Sequence, residues 1–140
     1  MTHIASVTAE FELRLVVQGG PSLPVTAGLS YSANDPWAVR VAFRTGGDQD
    51  LVVEWMFARQ LLNDGLVNPV GEGDVRVWPS LHDGERVVNL AMASPSGSAL
   101  FEMDRNGLIE FLQQTYLAVA TGAESDQFDF DAEFALLSPL

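Results

Sequence analysis

The chain has no cysteine and no lysine, and only two histidines, His3 and His82. Without cysteine there is no disulfide, thiol nucleophile, iron–sulfur cluster or cysteine zinc site. Without lysine there is no Schiff-base amine and no P-loop lysine. All seven basic residues are arginine, a bias that reads as a GC-rich coding background. Two isolated histidines are too few for a histidine-based metal site, so neither metal nor cofactor is expected. Positive charge is scarce against 19 Asp and Glu, and the formal net charge is −12 with a pI near 4.2. Such a surface repels nucleic acid and anionic lipid, and leaves neutral or positive protein surfaces as the easier partners. No apolar run approaches the ~20 residues that span a bilayer. The start, Met1-Thr2-His3-Ile4, lacks the basic and apolar stretches of a signal peptide, so the expectation is a cytoplasmic protein.

What is present is a foldable chain: 140 residues, 47% apolar, enough for one core and one domain, 1–140. Residues 7 to 18 alternate, with Phe11, Leu13, Leu15 and Val17 against Glu10, Glu12 and Arg14, which predicts a strand with one wet face. Val25 to Tyr31 is extended between Pro24 and the turn Ser32-Ala33-Asn34-Asp35-Pro36. Trp37 to Thr45 alternates again, and Gly46-Gly47-Asp48 turns it into Leu51 to Phe57, predicting a hairpin. Ala58 to Asp64 fits a short helix that Gly65 would end in the left-handed conformation, folding Leu66 back on Leu61. Val75 and Val77 predict a strand whose end Pro79 confines to a sheet edge or exit. Asp83-Gly84 reads as a hairpin turn. Glu85 to Ala93 and Ala99 to Met103 form another hairpin around Ser94-Pro95-Ser96-Gly97. Asp104 should cap a helix with an apolar stripe of Leu108, Phe111, Leu112, Tyr116 and Val119, though Gly107 weakens its first turn. A last segment sets Phe130, Phe134 and Leu137 at helical spacing. The predicted class is α+β: about seven antiparallel strands in a curved sheet or barrel, a short helix and C-terminal helices.

No catalytic constellation emerges. The acids Glu124, Asp126, Asp129, Asp131 and Glu133 lack the glycine and distal glutamate of a calcium loop and read as a solvated helix start. Nothing places paired carboxylates in an apolar pocket, and Ser80, Ser94 and Ser96 are turn residues with no histidine nearby. Among the tryptophans, Trp55 reads as core and Trp78 as partly exposed, while Trp37 fits either. Arg14, Arg40, Arg44, Arg76 and Arg86 fall on polar strand faces beside Glu12, Glu54 and Asp74, a pattern of cross-strand ion pairs.

Several short motifs recur in a fixed order: Leu23-Pro24-Val25, Leu29-x-Tyr31, Asp35-Pro36-x-Ala38-Val39, Glu54-Trp55-x-Phe57-Ala58-Arg59, Gly65-Leu66, and Gly73 to Ser80. Ser94-Pro95-x-Gly97 and Leu112-x-x-Thr115 complete the set. In this order they resemble the SsgA-like cell-division proteins of sporulating actinobacteria, most closely the SsgB branch. The resemblance implies a whirly-like fold assembled as a homotrimer. It also implies a non-enzymatic role in septation during sporulation, at the division septum. Family members of the SsgB branch recruit FtsZ and promote its assembly, with SsgA-type proteins upstream. The alternative is a single-stranded nucleic-acid binder of whirly-like fold, which would need the arginines gathered in one stripe. The family motifs look structural and transfer no site residue. The partner contact expected from the residues themselves is apolar: Phe128, Phe130, Phe134, Leu136 and Leu137 exceed what one short helix face buries. Packing of that segment on its own sheet or on a neighbouring subunit is the competing reading.

Overall fold

A computed structural model of the chain describes residues 5–44, 52–71 and 73–127. Its strands are β1 (Ser6–Leu15), β2 (Leu23–Ser32), β3 (Asp35–Arg44), β4 (Val52–Ala58), β5 (Val75–His82), β6 (Glu85–Ser94) and β7 (Gly97–Asp104). Its helices are α1 (Arg59–Asp64) and α2 (Arg105–Ala118), with a 3-10 turn at Glu124–Gln127. All seven strands lie in one antiparallel sheet of order β4-β3-β2-β1-β7-β6-β5. Two meanders, β1–β4 and β5–β7, meet where β1 pairs with β7 only at Arg14↔Glu102 and Leu15↔Phe101. The Val16 N–H extends that short seam by donating to the Leu100 carbonyl at 2.8 Å.

The sheet is open but strongly curled. Phe43 on β3 and Phe101 on β7 stack with centroids 4.4 Å apart and planes at 20°. Two strands lie between them, so in a flat sheet they would stand about 14 Å apart. The barrel expectation therefore fails while the curved-sheet expectation holds: β4 and β5 remain edges and do not pair with each other. The concave face carries the core, with Val25, Ala27, Leu29 and Tyr31 alternating on β2 and Val39, Val41 and Phe43 on β3. On β6 and β7 it continues through Val88, Leu90, Met92, Phe101 and Met103. Helix α2 closes it with Leu108, Phe111 and Leu112.

The Asp83-Gly84 turn behaves as predicted, with φ of 51° and 81° at the two corners of the β5–β6 hairpin. Asp104 caps α2 as predicted, accepting from the Gly107 N–H at 2.9 Å. Gly65 does not take the predicted left-handed conformation: its φ is −68° and its ψ −10°. Glycine is needed there for space, because a Cβ would lie 2.7 Å from the Val77 Cβ on β5. Gly107 also answers to packing and not to helix propensity, since a Cβ would lie 2.8 Å from the Phe11 ring. The predicted last helix around Phe130, Phe134 and Leu137 falls outside the described residues.

Candidate functional site

The expected partner residues Phe128, Phe130, Phe134, Leu136 and Leu137 lie outside the described residues. The chain that precedes them is held by one arginine, Arg59. Arg59 opens α1 directly after β4, and the i, i+3 spacing of a helix turns it inward together with Leu62, leaving it 2% exposed. Its Nη1 donates to the carbonyls of Thr115 at 3.0 Å and Val119 at 2.7 Å, which end α2. Its Nη2 donates to Glu124 Oε1 at 2.9 Å. The guanidinium carbon lies 4.0 Å from the Tyr116 ring centroid and 5.0 Å from that of Tyr31, so two aromatic faces sandwich the charge.

Each partner of this arginine is fixed in turn. Glu124 Oε2 accepts from the Gly122 N–H at 2.8 Å. Its own backbone N–H, then the Arg59 guanidinium, hold the Glu124 carboxyl below the usual carboxylate range. Burial pushes the Tyr31 and Tyr116 hydroxyls up, against the opposing pull of the Arg59 charge. Tyr31 donates to the Pro36 carbonyl at 2.9 Å. Sequence reasoning placed Glu124 at a solvated helix start. The structure corrects this: its side chain is 17% exposed and committed to Arg59. Arg59 stands in the Glu54–Arg59 motif, but its role was missed. The available signal was that it shares helical spacing with the buried Leu62.

The outer face of the sheet carries interleaved charge. Arg40 and Glu54 approach to 3.8 Å, as do Arg14 and Glu102, and His82 Nδ1 lies 3.1 Å from Glu102 Oε2. Arg40 and Arg44 stand on β3, whereas Arg76 stands on β5 at the far edge. Trp55 is half-buried against the core, Trp78 is half-buried, and Trp37 is 47% exposed. A cavity of about 340 Å³ opens at one end of the concave face, over the stacked Phe43 and Phe101. Val53 and Trp55 of β4 form one wall, Ser94 and Ser96 of the β6–β7 turn the other, and among the described residues no charged side chain lines it. Among the described residues no group of three or more His, Asp or Glu is placed to hold a metal ion. No described helix is long and apolar enough to cross a membrane.

A single curled antiparallel sheet, closed on its concave side by a capped helix and a buried arginine clamp, defines an α+β protein whose exposed features are an edge strand and an apolar cavity. The model of the Streptomyces sporulation and cell division protein SsgA matches residues 25–124. The sporulation-specific cell division protein SsgB of Frankia casuarinae is 56% identical over 94% of this chain and 91% of its own length. Its counterpart from Streptomyces coelicolor is 49% identical over 93% of each chain. The solved SsgA-like sporulation-specific cell division protein from Thermobifida fusca superposes with a TM-score of 0.85 at 46% identity, covering 99% of this chain and 100% of that one. An SsgB structure studied for longitudinal cell division during sporulation of Streptomyces coelicolor gives a TM-score of 0.86 at 48% identity over 91% of this chain and 100% of its own. The chain belongs to the SsgA family, a family of sporulation and cell-division proteins, and its relatives include SsgB proteins.

Proposed function

We propose that this chain is a non-enzymatic regulator of cell division in sporulation, acting at the septum to position FtsZ and promote its assembly through protein–protein contact. The observation that carries the reading is identity to sporulation-specific SsgB proteins along almost the whole chain. The described surface is consistent with it, offering apolar contact area and interleaved charge in place of an ordered set of nucleophile, base and oxyanion donors. The working assembly is a homotrimer of whirly-like subunits, since the exposed edges of one sheet are covered by joining subunits. SsgA-type proteins are its upstream partners. The C-terminal residues Phe128, Phe130, Phe134, Leu136 and Leu137 form one contact.

Co-sedimentation with purified FtsZ polymers tests the reading, and absence of association by the unmutated protein defeats it. Phe128→Ala and Phe134→Ala variants, first checked for folding and oligomer size, locate the contact. Wild-type association by both folded variants clears the C-terminal segment. Binding to a single-stranded oligonucleotide at physiological salt is expected to be negligible. Submicromolar binding lost in Arg40→Ala with Arg44→Ala would favour the nucleic-acid reading instead.

A further inference from the structure

The cavity over the Phe43–Phe101 stack sits across the shortest strand pairing in the sheet. The meanders β1–β4 and β5–β7 are joined by the pairs Arg14↔Glu102 and Leu15↔Phe101 and by the Val16 N–H to the Leu100 carbonyl. Phe43, Val53 and Trp55 reach the cavity from the first meander, and Met92, Ala99 and Phe101 reach it from the second. An occupant therefore touches both halves of the sheet at once. Joining of subunits along the β4 edge uses main-chain groups in the plane of the sheet, whereas Val53 and Trp55 point out of that plane on the concave side. The proposed assembly makes no demand on the cavity.

The lining specifies what the cavity would take. Among the described residues none of its side chains is charged, in a chain whose net charge is −12. An ion entering it would lose hydration and find no counter-charge in exchange. Phe43, Trp55 and Phe101 make the lining aromatic, and the first and last of these form the stack at its floor. Polar groups gather on one wall, where the Ser94 and Ser96 hydroxyls lie 2.9 Å apart. Each hydroxyl can donate once and accept twice, so that wall keeps capacity for a polar atom of a guest. A dry apolar cavity of about 150 Å³ takes a benzene ring, so one of about 340 Å³ has room for a fused pair of rings.

We infer that this cavity is a binding site for a neutral small molecule built on a fused pair of rings with one hydroxyl or carbonyl group, and that the bound molecule braces the join between the two meanders. The rings lie against the Phe43–Phe101 floor and Trp55, and the polar atom meets the serine wall. Apolar burial supplies affinity, and the absence of counter-charge supplies selection against ions. The site is separate from the C-terminal contact and independent of the FtsZ reading.

The test is titration of the full-length, isotopically labelled protein with naphthol, and with naphthoate and naphthylmethylammonium as charged analogues on the same rings. The expected result is saturable binding of naphthol at one molecule per chain, with its protons in contact with the methyl groups of Val53, Met92 and Ala99. Both charged analogues should bind at least about tenfold more weakly, since neither finds a counter-charge in the site. Saturation should slow exchange of the Val16 amide severalfold, because opening the join would release the ligand. Val53→Trp, at a position 47% exposed, should fill the cavity and weaken naphthol binding about tenfold. Leu117→Asp, on the 79% exposed outer side of α2, should leave binding unchanged. If Val53→Trp does not fold, the charge series on the unmutated protein decides. Absence of naphthol binding overturns the site, as does undiminished binding by a folded Val53→Trp variant. Equal or tighter binding of the ammonium analogue also overturns it, by marking attraction to the acidic surface. Binding that leaves exchange of the Val16 amide unchanged overturns the bracing.

Discussion

Arg59 and Glu124, 65 positions apart in the sequence, meet at 2.9 Å, and that contact ties the entry to α1 to the turn that follows α2. The arginine replaces the water that would otherwise satisfy the last carbonyls of α2. Because the charge is buried, its partners matter more than its attraction to any one of them.

Arg59→Ala should destabilise the fold by about 3–5 kcal/mol, since it strands two buried carbonyls and empties the slot between Tyr31 and Tyr116. Arg59→Lys should recover only part of this, because an ammonium lacks the planar fork that reaches three acceptors. Urea unfolding measures both, and a loss below about 1 kcal/mol for the alanine variant would contradict the clamp.

The same cluster sets a pH dependence. Glu124 is held below its ordinary value of 4.5, so its contribution is complete above about that pH and is lost as pH falls through the folded value. Tyr31 and Tyr116 are raised above 10.0, so their contribution is complete below that pH and is lost as pH rises through the folded values. Urea midpoints should fall on both sides. Glu124→Gln should flatten the acid limb and Tyr116→Phe the alkaline limb; unchanged limbs would separate these groups from the effect.

Gly107→Ala should lower stability by about 1–3 kcal/mol, even though alanine is the better helix former by roughly 1 kcal/mol. The added methyl group would press on the Phe11 ring at 2.8 Å. Thermal unfolding of Gly107→Ala, alone and combined with Phe11→Leu, separates the two effects. Rescue by the second substitution is expected, and a stabilised single variant would show that the ring yields freely.

Gly65→Ala should also destabilise, by about 1–3 kcal/mol, through contact with Val77 and not through backbone strain. Adding Val77→Ala should relieve the clash while leaving its own cavity cost. Non-additive stabilities in this double-mutant cycle confirm the contact. Strict additivity would return the explanation to helix termination.

Most strands were legible in the sequence because one of their faces is wet; β6, buried on both faces from Val87 to Leu90, is the exception. The alternation of Phe11, Leu13 and Leu15 or of Val39, Val41 and Phe43 needs only a period of two to be read. Local chemistry announced the Asp83-Gly84 turn, the Asp104 cap and the edge position of Pro79 in the same way. Interleaved arginine and glutamate on the outer face predicted ion pairs, and Arg40–Glu54 and Arg14–Glu102 are two.

Contacts between residues far apart were not legible. Curl brings Phe43 onto Phe101, and no pattern along either strand encodes how far a sheet bends. That bend keeps β4 and β5 apart as edges and opens the uncharged cavity beside β4. Gly65 and Gly107 looked like local backbone choices, yet their reasons, Val77 and Phe11, sit on other strands. The buried role of Arg59 and Glu124 likewise exists only once α1, α2 and the last turn converge. Sequence alone determined the elements, their wet and dry faces and the family pattern, because these follow from local propensity and periodicity. Tertiary structure alone decided the curl, the separation of β4 from β5 and the clamp, because each depends on how distant segments share space.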